Sequence, residues 1–192
     1  MPTFVLIHGA WHGAWCWRRL IPLLWDAGHE VYAPTLTGMG ERAHLATPQV
    51  TLGTHVDDVA AVLEYEDLRD VVLVGHSYAG MVITGVAERS AERLRKLVYL
   101  DAFVPQSENA VIDLLPEARV AMYHEVAGLH GDGWRVPLEW IGALNDWGVT
   151  AEEHLQWMVP RMTPQPLATF TQPVASAAAA QRLPRSFVHC TH

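Results

Sequence analysis

Four apolar β-formers, Val71-Val72-Leu73-Val74, run directly into Gly75-His76-Ser77-Tyr78-Ala79-Gly80, and an apolar helical pattern follows at once. That order sets a serine on a sharp strand-to-helix turn, the arrangement of a nucleophile elbow. A serine there is pushed out at the carboxyl edge of a sheet, and the free N–H groups and positive end of the next helix face its oxygen. Ser77 is therefore the candidate nucleophile. A hydroxyl attacks a carbonyl effectively only when a base takes its proton and donors receive the charge developing on the carbonyl oxygen. In elbow sites one donor is the backbone N–H after the serine, here Tyr78, and the other comes from the loop after an early strand. His8-Gly9-Ala10-Trp11 is that loop by position: Gly9 allows close backbone approach, and Ala10 is the second expected donor. Ala79 stands where stricter forms of the pattern carry glycine, so its methyl narrows the packing of helix on strand.

Positioning these groups requires alternating strands and helices. Phe4 to Ile7 is a short apolar run ended by His8-Gly9, and it reads as a buried strand. Trp15, Leu20, Leu23 and Leu24 recur at near-helical spacing up to Gly28, a helix stop. Glu30 to Ala33 reads as the next strand, closed by Pro34. Val56, Val59, Ala60 and Leu63 mark a second helix with Thr54 as N-cap. After the elbow strand comes a helix carrying Met81, Val82, Val86 and Ala87, then a strand from Lys96 to Leu100 that ends at Asp101. Such alternation predicts an α/β fold, a mainly parallel sheet with helices on both faces.

Beyond Ala102 the rhythm breaks. Prolines at 105, 116, 137, 160, 164, 166 and 173 punctuate short helical pieces that carry Trp134, Trp140, Trp147 and Trp157. Residues 102–181 read as a helical cap over the carboxyl edge of the sheet, where ligands of open α/β sheets bind. Its tryptophans either form the cap's own core, the simpler reading, or line a substrate. Ser186 to Cys190 reads as one more strand. The whole chain, 1–192, is expected to form one domain.

Composition narrows the partners. Half of the 192 residues are apolar, and the net charge of -8 with a single lysine, Lys96, argues against nucleic-acid binding. An uncharged small molecule fits better. Cys16 and Cys190 are expected to be reduced core thiols. With no apolar run of the ~20 residues that span a bilayer and no basic leader before Thr3, a soluble cytoplasmic protein with no membrane association is expected. His8 with His12, and His189-Cys190-Thr191-His192, superficially suggest metal ligands, but neither group has a third or fourth convergent ligand. No metal and no cofactor are expected.

The segments Phe4-Val5-Leu6-Ile7-His8-Gly9-Ala10-Trp11-His12-Gly13-Ala14-Trp15, Ala27-Gly28-His29-Glu30-Val31, Gly75-His76-Ser77-Tyr78-Ala79-Gly80 and Leu100-Asp101-Ala102-Phe103-Val104-Pro105 resemble the α/β-hydrolase family. Within it they are most similar to the branch of plant methylesterases, hydroxynitrile lyases and bacterial pyrethroid-hydrolase-like esterases. The resemblance extends over nearly the whole chain. It implies Ser77 as nucleophile and the amides of Ala10 and Tyr78 as oxyanion hole. Lyase members carry threonine where this chain has Gly9, so the resemblance favours an esterase. Members of the family also continue past the strand matching Ser186 to Cys190 with an acid loop, a further strand, the catalytic histidine and a closing helix. The expectation is thus a hydrolase fold lacking those C-terminal parts, with the catalytic histidine beyond residue 192.

Several residues within the chain are candidates for the acid and base. Asp101, at the end of the strand after the elbow, is either the acid, as in some α/β-hydrolases, or a turn-capping aspartate. His192 is either a base or a frayed terminal residue. His124, His130 and His154 read as surface or substrate-lining groups. His76 should point away from Ser77 by strand alternation and so be structural. The leading reading is a serine carboxylesterase for a small or hydrophobic neutral ester. A non-catalytic binding module is the competitor, its exposed edge at Phe187 and Val188 recruiting a second copy. Hydroxynitrile lyase comes third.

Overall fold

Along strand β1 (Thr3–Ile7) and strand β3 (Val71–His76), successive side chains enter two different apolar cores. Val5, Ile7, Val71 and Leu73 join one core, whereas Leu6, Val72 and Val74 join the other. Period-two alternation with both sides apolar is what a sheet covered on both faces demands. The computed structural model describes residues 2–141 and 147–191. Strands β2 (Glu30–Tyr32), β4 (Leu94–Leu100) and β7 (Arg185–Val188) complete a five-stranded sheet in the order β2-β1-β3-β4-β7, parallel throughout. The α/β class expected from the alternation is therefore the observed one.

Helices α2 (Leu52–Tyr65) and α3 (Ala79–Ser90) cover the first face through Leu52, Val56, Val59 and Leu63 on one and Met81, Val82, Ile83 and Val86 on the other. The second face is covered by Trp17 from the short helical turn Ala14–Trp17, together with Leu20 and with Ile21 and Leu24 of α1 (Ile21–Asp26). The single helix expected over Trp15 to Gly28 is thus two pieces. Pro22 is the reason, since its fixed φ and missing N–H favour the first turn of a helix over its interior. Thr54 is not the N-cap of α2. Thr51 is, and Thr54 occupies the third helical position, returning the hydrogen bond to Thr51 in a capping box. Strand β4 begins two residues before Lys96, with a register irregularity opposite Val71 and Val72, and β7 ends at Val188 rather than Cys190. Cys190 is consequently exposed rather than in the core, and Cys16 is half-buried; neither is bridged. Burial pushes the Cys16 thiol up to about 12.

Between β4 and β7 the chain makes a long excursion. It contains α4 (Glu117–His130), a two-stranded antiparallel ribbon of β5 (Arg135–Val136) and β6 (Gln165–Pro166), and helices α5 (Glu152–Met158), α6 (Ala168–Thr171) and α7 (Ala178–Arg182). Tyr123, Val126, Val136, Leu138 and Phe170 from this excursion join the first core. Its tryptophans do not form a core of their own. Trp140 stacks on His130 at 3.7 Å, and Trp157 meets Trp15 edge-on at 5.1 Å beside the guanidinium groups of Arg19 and Arg161. Trp134 lies under the guanidinium of Arg135, and Trp147 approaches Trp11 at 5.8 Å. Flat indoles tolerate such half-exposed positions because their faces attract cations and other rings. Among the described residues no helix is long and apolar enough to cross a membrane.

Candidate active site

Ser77 leaves β3 with a φ of 53°, in the left-handed region that non-glycine residues seldom adopt. Such a conformation costs on the order of 1–3 kcal/mol and persists only where the surroundings over-determine it. Here they do. Ser77 donates its N–H to the Leu100 carbonyl at 3.2 Å, and its own carbonyl accepts from Gly80 and from Phe103, each at 3.1 Å. The two flanking glycines let α3 close down on the strand. A Cβ on Gly75 would stand 2.6 Å from the Ala79 carbonyl oxygen, and one on Gly80 would overlap the Phe103 carbonyl. Because Ser77 is not extended, strand alternation fails at this point. The His76 ring and the Ser77 side chain both come up against Gly9, where a Cβ would meet them at 2.9 and 3.1 Å. Burial holds the His76 imidazole down to about 4, partly offset by the Asp101 carboxylate.

The loop after β1 is fixed by its histidines. His8, fully buried, accepts from the Leu36 N–H at its Nε2 and so carries its proton on Nδ1, which donates to the Gly9 carbonyl at 2.8 Å. His12 Nδ1 donates to the Ala10 carbonyl at 2.7 Å. Desolvation lowers both imidazoles, His8 to about 3. Gly9 O, Ala10 O, Trp11 N and Trp11 O all have partners, whereas among the described residues the amides of Ala10 and Tyr78 donate to no group of the chain.

Ser77, Ala10 and Tyr78 line one cavity of about 280 Å³. Trp11 and the excursion residues Tyr123, Trp147 and Phe170 give it aromatic walls, with Val111, Leu115 and the cationic Arg119 beside them. Phe170 sits at the centre, 5.3 to 5.7 Å from the rings of Tyr123, Trp11 and Tyr78. Beneath it, His55 of α2 donates from Nε2 to the Thr37 carbonyl and accepts at Nδ1 from the Tyr78 phenol, both at 2.9 Å. Burial drops His55 to about 4 and raises the Tyr78 phenol.

The other sequence candidates lie elsewhere. Asp101 contacts His189 Nδ1 at 3.2 Å on the exposed ends of β4 and β7 and is not among the residues lining the Ser77 cavity. Among the described residues no cap-segment amide is hydrogen-bonded to its carboxylate. His130 and His154 are engaged with Trp140 and Glu153, away from the cavity, and His124 is exposed. His192 lies outside the described residues. Among the described residues no group of three or more His, Cys, Asp or Glu side chains is placed to hold a metal. Sequence reasoning did not single out His55, Arg119, Tyr123, Gln165, Thr169 or Phe170. None has a local signal, since each reaches the site only through tertiary folding.

Comparison with known proteins agrees with this architecture. The chain is 45% identical over 185 residues to a carbendazim hydrolyzing esterase from Nocardioides, a match covering 92% of this chain and 74% of that protein. It is 36% identical over 109 residues to methylesterase 1 of Arabidopsis thaliana, covering 56% of this chain but only 41% of the relative. Among solved structures, an extracellular alpha/beta-hydrolase from Paenibacillus, described as sharing structural and functional homology with tobacco salicylic acid binding protein 2, superposes with a TM-score of 0.85. That match has 26% identity and covers 97% of this chain and 76% of the other. Residues 4–192 match the alpha/beta hydrolase family, and with the sheet order, the strand-turn-helix at Ser77 and these relatives in agreement, the chain belongs to that family.

Proposed function

We propose that the protein is a serine carboxylesterase acting on a small or hydrophobic neutral ester. The observation that carries this reading is Ser77 held at a φ of 53° on the rim of an aromatic cavity beside the amides of Ala10 and Tyr78, which among the described residues have no acceptor in the chain. In this mechanism the Ser77 oxygen attacks the ester carbonyl as a base takes its proton, and the two amides bind the oxyanion. Collapse of the tetrahedral intermediate expels the alcohol, which receives that proton. Water then adds to the acyl-serine, and the carboxylic acid departs as Ser77 regains its hydrogen. The base is proposed to be a histidine beyond residue 192, in keeping with relatives longer than this chain. Residues 102–181 act as a cap within a single domain, and no cofactor takes part. Carbendazim and methyl esters, the substrates that the relatives' names indicate, are the first compounds to try.

A fluorophosphonate probe tests the reading directly. In the full-length gene product it should label Ser77, and Ser77→Ala should lose both label and ester hydrolysis. Hydrolysis that survives Ser77→Ala defeats the proposal. One observation favours a second reading as a non-catalytic binding module: among the described residues no histidine lines the Ser77 cavity. Absence of labelling with retained ligand binding would select it. A lyase is disfavoured because the Cβ of a threonine at position 9 would crowd His76 and Ser77.

A further inference from the structure

The turn around Ala10 is held by hydrogen bonds on both sides, from near neighbours on one and from groups distant in the chain on the other. On one side the Gly9 carbonyl accepts from His8 Nδ1–H and the His12 N–H. On the other, the Trp11 N–H donates to Gln165 Oε1 at 3.1 Å, and the Trp11 carbonyl accepts from the Thr163 N–H at 3.0 Å. Trp11 itself has a φ of 61°. A tryptophan stays in the left-handed region only while its neighbours enforce it. Gln165 is fully buried in β6, and its amide orientation is dictated, since a backbone N–H can only donate and must face Oε1. Its Nε2 then donates to Thr169 Oγ1 at 2.7 Å. Thr169 in turn donates to the Pro166 carbonyl, while the Tyr78 phenol donates to His55. A buried polar chain therefore runs from the segment of Ala10 through Gln165 to Thr169 of the excursion.

We propose that Gln165 is a positioning residue for oxyanion binding: by fixing the Trp11 N–H it holds the turn that aims the Ala10 amide at the carbonyl attacked by Ser77. The proposal rests on the esterase reading above. Gln165 does not line the cavity and does not touch substrate. Without its Oε1, Trp11 loses an anchor and relaxes toward negative φ, and the preceding peptide turns with it. The damage falls on the transition state, because the ground-state carbonyl asks less of that donor than the oxyanion does.

The test uses the full-length protein with Gln165→Met, which keeps the volume and removes the acceptor, and Gln165→Glu, which keeps an acceptor for Trp11. Gln165→Met should lower kcat about 10- to 100-fold, a fraction of what losing an oxyanion donor outright costs, with KM within about 2-fold. Its affinity for a trifluoromethyl ketone should fall by the same factor as kcat. Gln165→Glu should recover most of both. Should Gln165→Met fail to fold, Gln165→Asn, which withdraws the same amide by one methylene, carries the same expectation. Unchanged kcat, a loss confined to thermal stability, or equal impairment of the Met and Glu variants overturns the positioning role. Ser77→Ala in the same assay separates the two ideas: if it abolishes hydrolysis while Gln165→Met does not impair it, only the positioning role falls. If Ser77→Ala remains active, both fall.

Discussion

Gly9 and Ser77 meet across the mouth of the β3–α3 turn, so closely that a Cβ on Gly9 would stand 3.1 Å from the Ser77 Cβ and 2.9 Å from His76 Nδ1. Both neighbours are held by backbone hydrogen bonds or by burial and have little room to yield. Gly9→Ala should therefore cost about 1–3 kcal/mol of stability by overpacking. Because it also shifts the loop that carries the Ala10 amide, kcat/KM should fall about 10- to 100-fold. Thermal melts and steady-state kinetics on one preparation check both; a variant as stable and active as the parent would show that the turn yields freely.

The positive φ at Ser77 sets function against stability. Glycine adopts that conformation without a Cβ penalty. Ser77→Gly should raise stability by about 1 kcal/mol while abolishing hydrolysis. Denaturant unfolding with and without the substitution reads the gain. A loss of stability would mean that the hydroxyl contributes more to the fold than the strained backbone takes away.

Asp101 is tied to His189 at the surface, at 3.2 Å and with both side chains well exposed. Exposed pairs of this kind contribute about 0–1 kcal/mol. Asp101→Asn should change kcat less than about 3-fold, against the roughly 10⁴-fold loss seen when a triad acid is neutralised. A loss of that larger size would assign the acid role to Asp101.

Acid should unfold the protein through its buried imidazoles. His8, His55 and His76 are held down to about 3, 4 and 4, chiefly by desolvation, against 6.5 in the unfolded chain. Between pH 6.5 and about 4 the unfolded state binds more protons than the native one, so stability is full above pH 6.5 and falls as the pH drops. Each histidine contributes a slope of up to about 1.4 kcal/mol per pH unit. Urea midpoints at pH 7, 6 and 5 should decline steeply, and His55→Gln should make the decline shallower. A flat profile over that window would refute the assignment of neutral, buried rings.

Phe187 and Val188 are about half exposed on β7, one of the two edge strands of the sheet among the described residues. Unpaired apolar edges template association. In these 192 residues taken alone, light scattering should report self-association that Val188→Lys suppresses. A monomer at high concentration would remove the edge as a contact between copies.

Much of this was legible in the sequence because it is local. Val71 to Gly80 specify a strand, a turn and a helix through residue types alone, and alternation of apolar residues requires a sheet covered twice. That Ser77, Ala10 and Tyr78 line one cavity could be expected because an elbow and the loop of a neighbouring parallel strand stand in a fixed relation. Where local signals competed, the sequence reading slipped: Thr51 and Thr54 both suit an N-cap, and only their mutual hydrogen bonds decide between them.

The rest was decided by tertiary folding. Gln165 stands 154 residues from Trp11, and nothing in its surroundings marks it as the partner of that N–H. Phe170, Tyr123 and Trp147 look like ordinary apolar residues of a proline-broken stretch until the excursion brings them onto the rim of the sheet. The pairing of Asp101 with His189 likewise depends on which strand lies next to β4. Backbone geometry propagates over a few residues and can be read from their types. Contacts across long loops are chosen by the packing of the whole core, so the chain's order fixes the device that presents the serine, while its folding chooses the walls and anchors around it.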